Sequence, residues 1–130
     1  MTKVKTIGGI KPIGRCFIMN CDRKVIHNWP YFLRDGYWAL TAHLEFGEKG
    51  PNCGSEWFTV THLPTGYGAG DVRVDDPRKA LKLAKFAEMF GKASTVAGVG
   101  RKYNQLPAHK RRWIKAQTAW LLPSKEVRGK

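Results

Sequence analysis

The stretch Asp35-Gly36-Tyr37-Trp38-Ala39-Leu40-Thr41-Ala42-His43-Leu44-Glu45-Phe46 decides how this chain folds. Asp-Gly tolerates the positive φ of a tight turn, and here it stands between Tyr31-Phe32-Leu33 and Tyr37-Trp38, so it predicts a two-residue hairpin. Beyond the turn, Trp38, Leu40, Ala42, Leu44 and Phe46 point one way, while Ala39, Thr41, His43 and Glu45 point the other. A second alternating run, Glu56 to His62, sets Phe58 and Val60 against Trp57, Thr59 and Thr61. Paired antiparallel, the two runs make a long hairpin with one apolar face and one Thr/His face.

Working outward, Ile13 to Met19 reads as a short apolar strand, turned by Asn20-Cys21-Asp22-Arg23 into Val25 to Trp29. Gly47 to Ser55 holds three glycines and a proline and reads as an exposed, mobile loop. Leu63 to Gly70 reads as a break in the sheet, with Val72 to Val74 as a short returning strand. A helix follows, with Asp76 as N-cap, Pro77 at its first position and Gly91 at its end. Ala80, Leu83, Ala84, Ala87 and Phe90 form its apolar stripe with Phe86 at the edge, and Arg78, Lys82 and Lys85 line the opposite side. Lys92 to Gln105 is glycine-broken, with at most a frayed turn around residues 94–99. A second helix is expected from Pro107 to Leu122, with Trp113, Ile114, Gln117, Trp120 and Leu121 on one face. The whole predicts one α+β domain over residues 1–122: an antiparallel sheet of four or five strands packed with two C-terminal helices. Residues 123–130 read as a basic, flexible tail.

Charge is divided unevenly along the chain. Residues 1–76 carry nine Lys/Arg against eight Asp/Glu, whereas residues 77–130 carry fourteen against two. An ordinary surface helix alternates lysine with glutamate, because opposite charges at i,i+4 support it and like charges repel. Glu88 is the one acid on the first helix and the second has none. That excess points to a polyanion-facing surface, favoured over a merely solvated cationic face. The reading is a non-catalytic nucleic-acid-binding protein of low sequence specificity, for DNA or RNA. Arg78, Lys82 and Lys85 form one phosphate-contacting row, and Arg101, Lys102, Lys110, Arg111, Arg112 and Lys115 the other. Tyr103, beside the Arg101-Lys102 pair, is the candidate for base stacking. A second platform is the Trp57, Thr59, Thr61, Ala39, Thr41 and His43 face, although cover by Trp113 and Trp120 is favoured there.

Other chemistries are less well supported. Cys16, Cys21 and Cys53 lack the paired short spacings of a zinc site and read as free thiols, and no metal or other cofactor is expected. The loop Gly66-Tyr67-Gly68-Ala69-Gly70 is followed by three acids rather than by a helix start, which argues against a phosphate cradle. His43, Glu45 and Glu56 would be the residues of a metal-dependent nuclease, a reading that no spacing marks out. No apolar run approaches the roughly 20 residues of a membrane span, and the first residues lack a signal segment, so a cytoplasmic address without membrane contact is expected.

The stretch Trp57-Phe58-Thr59-Val60-Thr61-His62-Leu63-Pro64-Thr65-Gly66, followed by a helix rich in Ala, Leu and Lys, resembles small bacteriophage or mobile-element accessory proteins. The resemblance implies an accessory role in an infected bacterial cell: binding nucleic acid, modulating host transcription or blocking a defence system. It therefore keeps open an alternative, an inhibitor that docks its cationic face on an acidic host protein or nucleoprotein.

Overall fold

A computed structural model describes residues 6–20 and 22–117. Five strands run in chain order: β1 (Gly14–Met19), β2 (Val25–Asp35), β3 (Trp38–Gly47), β4 (Gly50–His62) and β5 (Tyr67–Arg73). Each pairs antiparallel with the next, giving the sheet order β1-β2-β3-β4-β5. Three helices follow: α1 (Lys79–Phe90), α2 (Val96–Gln105) and α3 (Ala108–Gln117). This is the expected α+β class. The sheet curls until its outer strands approach each other, and β1 contacts β5. Met19 N–H donates to Gly66 O at 2.8 Å across this closure.

The Asp35-Gly36 turn closes β2 on β3 with Asp35 opposite Trp38, and Gly36 adopts φ 61°. Gly47–Ser55, by contrast, is no loop. Gly50 pairs with Gly47, Pro51 with Phe46, Asn52 with Glu45 and Cys53 with Leu44, so β3 and β4 extend into a long arm. The pairing of β4 with β5 begins only at Trp57, which leaves the arm's β4 side as a free edge where a proline loses no ladder bond. Likewise Tyr67–Arg73 is a seven-residue strand, with Gly70 at φ 148° marking a register shift opposite Val60 and Thr61. Gly66, at φ 77°, has no room for a side chain: a Cβ would stand 2.8 Å from the Phe17 ring and 3.2 Å from Ile18 Cα. Gly66→Ala should therefore cost about 1–3 kcal/mol of stability, seen as a lower urea midpoint. An unchanged midpoint would show that the β1–β5 closure tolerates the crowding.

α1 begins later than its sequence suggests. Asp76 Oδ1 accepts the Arg78 N–H at 2.8 Å, so residues 76–78 form a turn, and the first helical bond is Lys82 N–H to Arg78 O at 2.9 Å. Leu83, Phe86 and Phe90 are the buried residues of α1, putting Phe86 at the centre of the stripe rather than at its edge. The Lys92–Gln105 segment contains a full helix, capped by Thr95 Oγ1 accepting the Gly98 N–H at 2.9 Å. α3 is described to Gln117, so Trp120, Leu121, the expected helix end and the basic tail lie outside the described residues, as does Cys21.

The main core forms where α1 lies on the first face of the sheet. Trp38, wholly buried, packs its ring 5.4 Å from both Phe86 and Phe90, and Phe58 packs 5.2 Å from Phe32. Val99 of α2 and Ile114 of α3 are also fully buried, so all three helices anchor in one cluster. Each such side chain withdraws enough apolar surface to contribute about 1.5–3 kcal/mol.

His62 ties the sheet to the helices. Its Nε2–H donates to Ala93 O at 2.7 Å, and Nδ1 accepts from Thr65 Oγ1 at 2.8 Å, which defines the neutral tautomer. Burial holds its pKa below the ordinary 6.5, although the Ala93 carbonyl opposes that shift. The unfolded chain therefore takes up this proton first, and the stability contributed by neutral His62 is complete above about pH 6.5. That contribution declines as pH falls toward the lower folded-state pKa. Urea titrations from pH 7.5 to 5 should show this decline, and it should be smaller in His62→Gln. An identical decline in both proteins would place the acid sensitivity elsewhere.

Candidate nucleic-acid interface

The ten cationic and aromatic residues singled out from the sequence fall into two unequal groups. On α1 the cations have local partners. The Arg78 backbone N–H, helped by Lys82 Nζ at 3.1 Å and Arg78 Nε at 3.6 Å, holds the Asp76 carboxyl below the ordinary carboxylate pKa. Lys82 is half-buried, and Lys85 Nζ sits 5.1 Å over the Trp113 ring. Arg78 and Lys85 remain exposed, but each cation of this row already has a partner within the domain.

The α2–α3 group is different. Arg101, Lys102, Arg112 and Lys115 are exposed, and among the described residues none has an acidic partner. Lys110 and Arg111 are half-buried, and Arg111 Nη1 donates to Leu106 O at the end of α2. Leu106 and Pro107 form the corner between the helices, so Arg101 and Lys102 end one helix and Lys110 to Arg112 open the next. At 1.5 Å rise per residue, all but Lys115 stand within about 8 Å of axial travel from that corner. The first turn of α3 has no acid, so its cations also meet the positive end of the helix dipole without compensation. Tyr103 is half-buried and packs against the core, which commits part of its ring to the domain.

The sheet's second face holds polar chemistry that the sequence only hinted at. One end is closed: Ala39, Thr41 and Thr61 are buried, and the two hydroxyls lie 2.8 Å apart. On β2 the same face carries Tyr31, opposite Thr41, and the buried Trp29, whose indole N–H donates to Ala42 O at 2.7 Å. Trp113 is not the cover expected there, since its ring packs 5.5 Å from Phe86 on the helix side. The other end is open. Thr59 Oγ1 donates to Asp71 Oδ1 at 3.0 Å, and His43 Nδ1 approaches Asp71 Oδ1 at 3.4 Å and Thr59 Oγ1 at 3.3 Å. Arg73 lies 5.2 Å over the ring of Trp57, its partner in register.

His43 thus meets Asp71, a residue the metal-nuclease reading did not include, and not a pair with Glu45 and Glu56. Among the described residues no three His, Cys, Asp or Glu side chains gather in a metal-binding group. Burial pushes the Cys16 thiol up to about 11, which keeps it protonated and a poor nucleophile at neutral pH. Among the described residues no helix is long and apolar enough to cross a membrane. The chain matches no family model, no curated protein and no solved structure.

Proposed function

We propose that this protein binds nucleic acid through the α2–α3 corner, gripping the phosphate backbone without reading sequence. One observation carries the reading: two consecutive helices hold six Lys/Arg and no acid, and four of those cations are exposed without an acidic partner among the described residues. Clustering like charges at the positive end of α3 costs stability, and a bound phosphate would offset that cost while releasing counterions. The Arg78 and Lys82 row contributes less, because Asp76 already compensates one of its two charges locally. Only Arg78 of this pair is well exposed, so it alone can readily turn from Asp76 to a phosphate.

Anisotropy titration with short DNA and RNA at two salt concentrations tests the reading. Binding should weaken steeply with salt and, on duplexes, vary little with sequence. Salt-independent binding, or none below 50 mM salt, refutes it. Retention of a stoichiometric acidic protein from nuclease-treated bacterial lysate, with no affinity for bare nucleic acid, would favour the inhibitor role instead.

A further inference from the structure

The open end of the second sheet face combines three features that ordinary polar strand surfaces lack together. Trp57 is 36% exposed, although it lies next to the fully buried Phe58. Arg73, directly opposite it in register, spreads its guanidinium over the indole. Two residues back on β5, Asp71 stands opposite Thr59 and on the same face. Asp71 uses Oδ1 toward Thr59 and His43, while Oδ2 has no hydrogen-bond partner among the described residues. Residues i and i+2 of a strand are about 7 Å apart, close to the span from a nucleotide's phosphate to the edge of its base.

We propose that this platform docks a single-stranded nucleic acid, stacking one base on the Trp57–Arg73 pair with its amino edge toward Asp71. The inference rests on the nucleic-acid reading above and deepens it by naming the strand state and a base preference. Bases in a duplex are already stacked and have their edges paired, whereas a single strand offers both to a sheet surface. The Arg73 guanidinium is charged and planar, so its ring-facing side holds the indole while its rim can meet a phosphate or extend the stack. Its present partner, Asp75, is 73% exposed at 3.3 Å and is readily exchanged. A carboxylate accepts well from the exocyclic amino group of cytosine or adenine and poorly from thymine or uracil, which present carbonyls beside their one N–H. Charge also fits: Asp71 would repel a phosphate, but Arg73 lies beside it on the same strand, where a base-in, phosphate-out pose separates the two.

The test compares wild type with Trp57→Ala, Asp71→Asn and a charge-reversed α2–α3 variant on 12-mer dC, dA and dT strands and on a duplex. Wild type should prefer single strands, with dC and dA bound more tightly than dT. Trp57→Ala should lose about 10-fold or more on single strands and almost nothing on the duplex. Asp71→Asn, a near-isosteric change, should erase the dC-over-dT preference while keeping the fold. If Trp57→Ala binds single strands as wild type does while the α2–α3 variant loses them, the platform is refuted and the backbone-gripping role stands. Loss of single-strand and duplex binding to the same degree in Trp57→Ala also refutes it. If wild type binds no oligonucleotide, both readings fall together.

Discussion

Reversing Arg101, Lys102, Arg112 and Lys115 to glutamate together should lower affinity for any short duplex more than about 100-fold at low salt. These four cations are exposed and lack acidic partners among the described residues, so each is available to a phosphate. Should all four contact duplex DNA, the logarithm of affinity would fall with the logarithm of salt at a slope of about −3 to −4 from these residues alone. Neutralising a single one, as in Lys115→Gln, should reduce that slope by about one and weaken all sequences alike. Lys49, at the turn of the β3–β4 arm, supplies the control. Lys49→Glu makes the same kind of charge change outside α2 and α3 and should leave affinity within about threefold at about 0.1 M salt, where the Debye length is only about 10 Å. Fluorescence anisotropy measures all of these. If the fourfold reversal binds as tightly as wild type, the corner is not the interface.

The second large effect concerns the core. Trp38→Ala should remove about 3–5 kcal/mol of folding free energy. Trp38 is fully buried and touches the rings of Phe86, Phe90 and His62 at 5.4, 5.4 and 4.9 Å, so the cavity would open where the sheet, α1 and the His62 tie meet. Domains of this size hold about 5–15 kcal/mol in total, and the variant should be partly unfolded or strongly shifted in urea. Trp38→Phe makes the contrast informative. The indole Nε1–H is buried without a hydrogen-bond partner among the described residues, and an unmet donor costs about 1–3 kcal/mol. Phenylalanine leaves a smaller void and removes that penalty, so the variant should lie within about 1.5 kcal/mol of wild type. Comparable losses in the two variants would mean that the indole N–H is satisfied in solution.

Readability from the residues varied with how local the deciding interactions were. The Asp35-Gly36 hairpin and the Trp38–Ala42 part of the alternation depend on neighbours in the chain and appear in the structure, whereas a register shift between Ala42 and Leu44 interrupts the pattern and leaves Phe46 exposed. The β3–β4 arm was obscured because Gly50, Pro51 and Gly54 are poor strand residues by composition. Backbone pairing with Gly47 to Leu44 overrides that weak preference. The start of α1 shifted because Asp76 uses its side chain on a local turn instead of on the first helical turn. Of the candidate site residues, the cations of α2 and α3 could be found from the absence of nearby acids. The pairing of Arg78 and Lys82 with Asp76 was readable in principle, because all three lie within seven residues of one another.

The residues taken alone determine an antiparallel sheet followed by cationic helices, since alternation, turn chemistry and charge composition act over a few positions. The tertiary structure decides the rest. His43 meets Asp71, and Arg73 meets Trp57, only through the β4–β5 register, which a bulge at Gly70 shifts by one residue. A one-residue slip moves every side chain to the opposite face of a strand. Such a register is set by packing between distant segments, which no local pattern encodes.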